Sequence, residues 1–90
     1  MKVSNMTGNS GNEVPNQFLI QTDKGVYFQS YNSIIAFKPY GDNKTQLDET
    51  YWDYSRTTGK YRNQFLGEGI AETRIKIKTG EYELINLNLE

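Results

Sequence analysis

The chain has 90 residues and a formal net charge of −1, which is enough for one domain with a thin hydrophobic core. It contains neither cysteine nor histidine. Without cysteine there is no disulfide framework, and without histidine there is no ordinary general base near neutral pH and no serine–histidine pair. The composition therefore predicts a protein that binds a partner, with no catalytic residues, no cofactor and no metal.

The N-terminal sequence indicates where the protein is expected to act. Met1, Lys2 and Val3 are followed by polar residues instead of the apolar stretch of a signal peptide. No run approaches the roughly 18 apolar residues that a membrane-spanning helix needs. We therefore expect a cytoplasmic protein with no membrane partner.

Residues 1–16 are rich in Asn, Gly and Ser. Such a composition has too few apolar groups to offset the entropy of ordering the chain, so it predicts a mobile N-terminal tail. The remainder, residues 17–90, is expected to form a single α+β domain.

Short β-type segments separated by turn residues occupy the first half of this domain. They cover residues 18–22, 26–31, 34–38 and 45–48. Asp23-Lys24-Gly25 is typical of a hairpin turn, and Pro39 with the glycine-containing segment after it ends the third strand. The pattern predicts an antiparallel meander of about four strands.

A helix is expected at residues 56–66. Ser55 or Thr57 can cap its start, and Gly67 suits its end. Tyr61 and Phe65 lie four residues apart and define its apolar face.

The segment at residues 70–79 is ambiguous. Thr73, Ile75 and Ile77 alternate with basic residues and slightly favour a strand, whereas Gly80 and the lysines before it suit a helix end. Residues 82–87 are expected to form a strand in either case.

Several sequence motifs resemble a family of small uncharacterised proteins encoded by phages and prophages of Gram-positive bacteria. They are Val26-Tyr27-Phe28-Gln29-Ser30-Tyr31-Asn32-Ser33-Ile34-Ile35-Ala36, Leu47-Asp48, Trp52-Asp53-Tyr54-Ser55, Thr57-Thr58-x-Lys60-Tyr61-x-x-x-Phe65-Leu66-Gly67-Glu68, Glu72-Thr73 and Lys78-x-Gly80-Glu81-Tyr82-x-Leu84. The resemblance spans about residues 17–89. It implies a ββββααβ order, which favours a helix at 70–79, and an infected or lysogenic bacterial host. It implies no activity, cofactor or catalytic residue.

Basic and aromatic residues interleave between Tyr51 and Arg62, and residues 55–80 carry six basic against two acidic residues. Tyrosines that stack on bases and cations that neutralise phosphates are what single-stranded nucleic acid requires. The alternative is that the aromatic residues are core. We therefore divide the segment into an expected core half and an expected exposed half. The core half is Trp52, Tyr61 and Phe65, and the exposed half is Tyr54, Arg56, Lys60 and Arg62.

Three further possibilities stay open. Asp48, Glu49 and Asp53 cluster before the helix, but their spacing matches no calcium-binding loop, so a metal-dependent hydrolase is the weakest alternative. Tyr27, Tyr31 and Tyr40 offer a surface for a protein partner, because tyrosine is enriched at interface hot spots. The thin core also makes a homodimer an alternative to a monomer.

The sequence thus predicts a small phage or mobile-element protein that acts without catalysis by binding a host macromolecule, as in counter-defence or host takeover. A host or phage protein is the favoured partner, and nucleic acid is the alternative. The expected partner-binding residues are Tyr31, Tyr54, Arg56, Lys60, Arg62, Arg74 and Lys78.

Overall fold

A computed structural model describes residues 1–88 and shows a six-stranded sheet with two helices. In chain order the elements are β1 (Lys2–Thr7), β2 (Glu13–Gln21), β3 (Gly25–Ser30), β4 (Ser33–Pro39), β5 (Gln46–Asp48), α1 (Arg56–Leu66), α2 (Ile70–Thr79) and β6 (Glu83–Ile85). The predicted α+β class, antiparallel meander, two helices and C-terminal strand are confirmed. The predicted domain end at residue 90 lies outside the described residues.

The strands lie in the sheet in their sequence order. β1 to β5 are antiparallel neighbours, and β6 pairs parallel with β5 after the two helices have crossed over the sheet. The β2–β3 turn forms as expected, because Thr22 Oγ1 accepts from the backbone nitrogens of Lys24 and Gly25 at 3.1 and 3.2 Å. Gly25 is required for space, since a Cβ there would lie 2.4 Å from the Lys38 carbonyl oxygen.

The prediction of a mobile tail at residues 1–16 differs from the structure. β1 pairs with β2 from Lys2 opposite Gln21 to Thr7 opposite Glu13, and Met6 is only 3% exposed, within the main core. Pro15 lies where the register of this pair shifts, a position that tolerates a missing backbone donor. Backbone pairing and one buried methionine therefore order a segment whose composition suggests disorder.

The core lies between the sheet and one layer of helices. Its buried members are Met6, Phe28, Ile35, Ala36, Leu47, Tyr61, Phe65 and Tyr82. Trp52 is partly buried against this cluster, so the predicted core half, Trp52, Tyr61 and Phe65, is confirmed. The Phe28 and Phe65 rings lie 5.7 Å apart between centroids and join β3 to α1.

Residues 70–79 form a helix, as the resemblance implies, so the slight preference of their alternation for a strand is wrong. Ile75 is 61% exposed, so it does not belong to a buried strand face. Lys76 instead reaches Glu72, one helical turn earlier, at 3.2 Å, and Gly80 ends the helix with φ of 85°. Neither described helix has the length and apolarity needed to cross a lipid bilayer.

Candidate functional site: a basic groove between the helices

The start of α1 is fixed by its own sequence. Ser55 has extended backbone angles, and its Oγ accepts from the Thr58 backbone nitrogen at 3.1 Å, as the predicted N-cap requires. Gly67 ends the helix with φ of 72°. Inside the sheet–helix layer, the Thr58 and Ser30 hydroxyls lie 2.8 Å apart, which fixes the first turn of α1 against the end of β3.

Arg62 is the residue around which the segment before α1 folds. It is 2% exposed, and its Nη1 donates to the Trp52 carbonyl at 2.8 Å and to Asp53 Oδ1 at 2.9 Å. Its Nη2 donates to Asn63 Oδ1 at 2.9 Å, and its guanidinium lies 5.3 Å from the Trp52 ring centroid. The prediction that Arg62 is exposed is therefore wrong, because the side chain is buried and three of its donors bind other groups of the protein.

Above Arg62, an open groove of about 530 Å³ runs between α1 and α2. Its lining residues are Asp53, Ser55, Arg56, Gly59, Lys60, Arg62, Asn63, Ile70 and Arg74. Arg56, Lys60 and Arg74 are exposed, so three solvent-accessible cations line one opening. Asp53 is the single acid there, and it already accepts from Arg62 and lies 3.7 Å from Arg74. The groove therefore attracts anions.

Two exposed tyrosines lie in the turn that leads into this groove. Tyr51 and Tyr54 are 37% and 46% exposed, and their rings meet edge to face with centroids 5.6 Å apart. Tyr54 immediately precedes Ser55 of the groove lining. An edge-to-face pair leaves ring faces open, so these side chains can stack against a planar ligand.

A buried carboxylate holds that turn in place. Asp48 Oδ2 accepts from the backbone nitrogens of Thr50 and Tyr51 at 3.0 and 2.8 Å, and its Oδ1 accepts from the Leu87 nitrogen at 2.8 Å. Burial raises the pKa of Asp48, but the hydrogen bonds from Leu87, Tyr51, Asn88 and Thr50 outweigh it and lower the pKa overall. Asp48 is thus committed to the backbone. Within residues 1–88, no group of three or more carboxylate, histidine or cysteine side chains is arranged to hold a metal ion.

A second buried carboxylate, Glu68, joins α2 to the segment before β6. It accepts from Thr73 Oγ1 at 2.6 Å, from Lys76 Nζ at 2.7 Å and from the Tyr82 hydroxyl at 2.9 Å. Burial raises the pKa of Glu68, but hydrogen bonds from Lys76, Thr73 and Tyr82 lower it overall. Hydrogen bonds to Glu68 and Glu72 raise the pKa of Lys76. Burial, with the bond to Glu68, raises the pKa of Tyr82 to about 12.

The Glu68 cluster was not foreseen from the sequence. Its members come from the loop between the helices, from two turns of α2 and from the residue before β6, so no regular spacing marks them. Glu68 stands between two glycines instead of on a helix face, and this is the one local sign that its carboxylate has a specific role.

The structure brings together only part of the predicted site. Arg56, Lys60, Arg62 and Arg74 line one groove, and Tyr54 immediately precedes Ser55 of its lining. Tyr31 lies in the β3–β4 turn with φ of 55°, and Lys78 is exposed near the end of α2. Neither of these two lines the groove.

Comparisons with known proteins identify a matching family, but that family has no known activity. A family model described as a family of unknown function (DUF8033) matches residues 1–83. No curated protein matches the chain, and no solved structure does.

Proposed function

The chain belongs to the DUF8033 family, whose function is unknown, and we propose that it is a non-catalytic protein that binds single-stranded nucleic acid in the basic groove between α1 and α2. One observation carries the proposal. Three exposed cations, Arg56, Lys60 and Arg74, line a single groove, and the exposed Tyr51 and Tyr54 lie in the turn that immediately precedes its first helix.

The two kinds of side chain match the two parts of a nucleotide. Lys and Arg neutralise phosphates and release counterions, which gives affinity without dependence on sequence. Tyrosine faces stack on unpaired bases, which duplex DNA does not offer. The buried residues support this surface from below, since Asp48 fixes the Tyr51 backbone and Arg62 fixes Asp53.

The resemblance of the motifs to phage and prophage proteins supports a setting in an infected or lysogenic bacterium. There, a small binding protein would act stoichiometrically on a macromolecule of the host or the phage. Both oxygens of the Asp48 carboxylate accept hydrogen bonds from backbone nitrogens. Since this carboxylate is already used by the fold, a binding function is better supported than metal-dependent hydrolysis.

Fluorescence anisotropy with labelled single-stranded DNA and RNA at about 50 mM salt tests the proposal. Each phosphate contact to a single strand contributes about −0.7 to the slope of the logarithm of the association constant against the logarithm of salt concentration. If the three cations each contact one phosphate, this slope should be about −2. Lys60→Ala should weaken binding, whereas Lys78→Ala, which removes another exposed helical lysine outside the groove, should leave it unchanged. Absence of binding at this salt concentration, or equal effects of both substitutions, would refute the proposal.

A host or phage protein is the second candidate partner. Arginine and tyrosine are enriched in protein hot spots, and an acidic protein surface would meet the same three cations. Affinity capture from host lysate distinguishes the two partners. Nuclease treatment should abolish capture if nucleic acid is bound, and capture that survives nuclease but is lost in Arg56→Ala/Lys60→Ala favours the protein.

A further inference from the structure

Among the described residues that line the basic groove, Asp53 is the single acid. A carboxylate there opposes the attraction of a nucleic-acid backbone, because phosphates repel it. Its Oδ1 is used by the fold, since it accepts from Arg62 Nη1 at 2.9 Å. Its Oδ2 lies 3.7 Å from Arg74, which is longer than a hydrogen bond, and the Asp53 side chain is 37% exposed. Oδ2 can therefore accept hydrogen bonds from a ligand in the groove.

Asn63 also lines the groove, and Arg62 holds it next to Asp53. While Arg62 Nη1 donates to Asp53 Oδ1, the neighbouring Nη2 donates to Asn63 Oδ1 at 2.9 Å. The planar guanidinium thus fixes a carboxylate and an amide side by side. Because Oδ1 of the amide faces Arg62, its Nδ2 and the two N–H donors on it are directed away from the guanidinium. The groove lining therefore offers an amide donor beside a carboxylate acceptor.

The Watson–Crick edge of guanine complements this pair. It presents the O6 acceptor followed by two adjacent donors, N1–H and the N2 amine. Asn63 Nδ2 can donate to O6, and the Asp53 carboxylate can accept from both donors, since each of its oxygens has room for two hydrogen bonds. Adenine, cytosine and thymine each present only one donor group on this edge. They would therefore make fewer hydrogen bonds to the same two side chains.

We propose that Asp53 and Asn63 make the groove selective for guanine in single-stranded nucleic acid, an inference that rests on the proposed function. Arg56, Lys60 and Arg74 would bind phosphates whatever the sequence, and the carboxylate–amide pair would read one base, which is how the two kinds of contact divide in nucleic-acid recognition. The edge it reads is accessible in an unpaired strand and is occupied by cytosine in a duplex. Arg62 is the positioning residue for the pair.

Fluorescence anisotropy with labelled thymidine oligonucleotides of about six nucleotides tests the selectivity, since such a length matches one small binding site. One central thymine is replaced by guanine, by hypoxanthine, which is guanine without the N2 amine, or by 7-deazaguanine, which keeps the whole Watson–Crick edge. Guanine and 7-deazaguanine should each bind at least about fivefold more tightly than thymine, because a bidentate base contact discriminates by that much or more. Hypoxanthine should lose most of this preference.

Asp53→Asn tests the protein side of the contact. Asparagine keeps a carbonyl oxygen for Arg62 and replaces the second acceptor with a donor. The variant should lose the guanine preference, and its affinity for the all-thymine oligonucleotide should be equal or higher, because a negative charge has left the groove. Asp42→Asn, which neutralises an exposed acid outside the groove, is the matched control and should keep the preference.

The comparison of guanine with hypoxanthine uses the unaltered protein, so it holds even if Asp53→Asn is destabilised. Equal affinity for these two bases, or a guanine preference that survives in folded Asp53→Asn, would overturn the inference. If every oligonucleotide still binds with the expected salt dependence, the proposed function stands without base selectivity. Absence of binding to all of them would overturn both.

Discussion

Arg62 and Arg56 lie in the same helix, but the first is 2% exposed and the second projects into solvent beside Lys60. Arg62 uses three of its five N–H donors on Trp52, Asp53 and Asn63, and its burial keeps the guanidinium within the protein. Arg56 and Lys60, which line the groove, are instead exposed to solvent. Buried positive charge on one side of α1 therefore holds the fold, and exposed positive charge on the other is what we propose a partner binds.

The largest expected effect is the difference in free energy of unfolding between the Arg62→Ala and Arg56→Ala variants. Arg62→Ala deletes three hydrogen bonds and leaves the Trp52 carbonyl without its donor, which should lower the free energy of unfolding by about 2–4 kcal/mol. Arg56→Ala should change it by no more than about 0.5 kcal/mol, as exposed substitutions do. Urea unfolding of both variants measures this.

Arg62→Lys is the conservative control. A single ammonium cannot reproduce the planar fork that reaches Trp52 and Asp53 together, so this variant should fall between wild type and Arg62→Ala. Equal losses in Arg56→Ala and Arg62→Ala would contradict the division of α1 into a structural side and a binding side.

The boundaries of α1 could be predicted because they depend on neighbouring residues. Ser55 caps a nitrogen three residues away and Gly67 supplies the left-handed turn, so residues 56–66 follow from local chemistry. The burial of Arg62 depends instead on Trp52 and Asp53 folding over it, in a turn that Asp48 anchors with the help of Leu87, 39 residues further on. Contacts at this separation leave no periodic signal in the sequence.

The same reasoning explains β1 and the set of residues that share one face of the sheet. Residues 2–7 are ordered by pairing with β2 and by one buried side chain, Met6, and neither is visible in a composition of Asn, Gly and Ser. Tyr27 was noted as a surface residue, but its place in one row with Val3 and Phe37 follows only from the strand register. The sequence thus predicted the elements, and long-range pairing decided which residues share a surface.

The buried carboxylates should also differ from the exposed ones in how much their protonation at low pH lowers the free energy of unfolding. The pKa values of Asp48 and Glu68 are lowered in the folded protein from their ordinary values of 3.8 and 4.5. A lowered pKa contributes stability that is fully present above the unfolded-state value and is lost as pH falls through the folded-state value. The free energy of unfolding should therefore be constant between about pH 5.5 and about pH 9 and decrease progressively below about pH 4.5.

Asp48→Asn isolates one of these contributions. The amide has no charge and directs a donor at the backbone nitrogens of Thr50 and Tyr51 or Leu87, so the variant should be less stable near neutral pH and less sensitive to acid. Asp42→Asn, in the exposed turn before β5, should keep the wild-type profile. Thermal unfolding of the three proteins from pH 3 to pH 7 provides the comparison. An unchanged acid profile in Asp48→Asn would show that its carboxylate is not a source of this stability.

The smallest expected effect lies at Gly59, which separates the two sides of α1. A Cβ at this position would meet the Arg62 Nη2 at 3.5 Å, an ordinary van der Waals distance, and the helix conformation there suits alanine. Because glycine costs a helix interior up to about 1 kcal/mol relative to alanine, Gly59→Ala should raise the free energy of unfolding by about 0.5–1 kcal/mol. Nucleic-acid affinity should stay unchanged, since a methyl group removes no cation from the groove. A loss of stability would mean that Arg62 needs the space above Gly59, whereas a loss of affinity at unchanged stability would mean that a ligand approaches the backbone there.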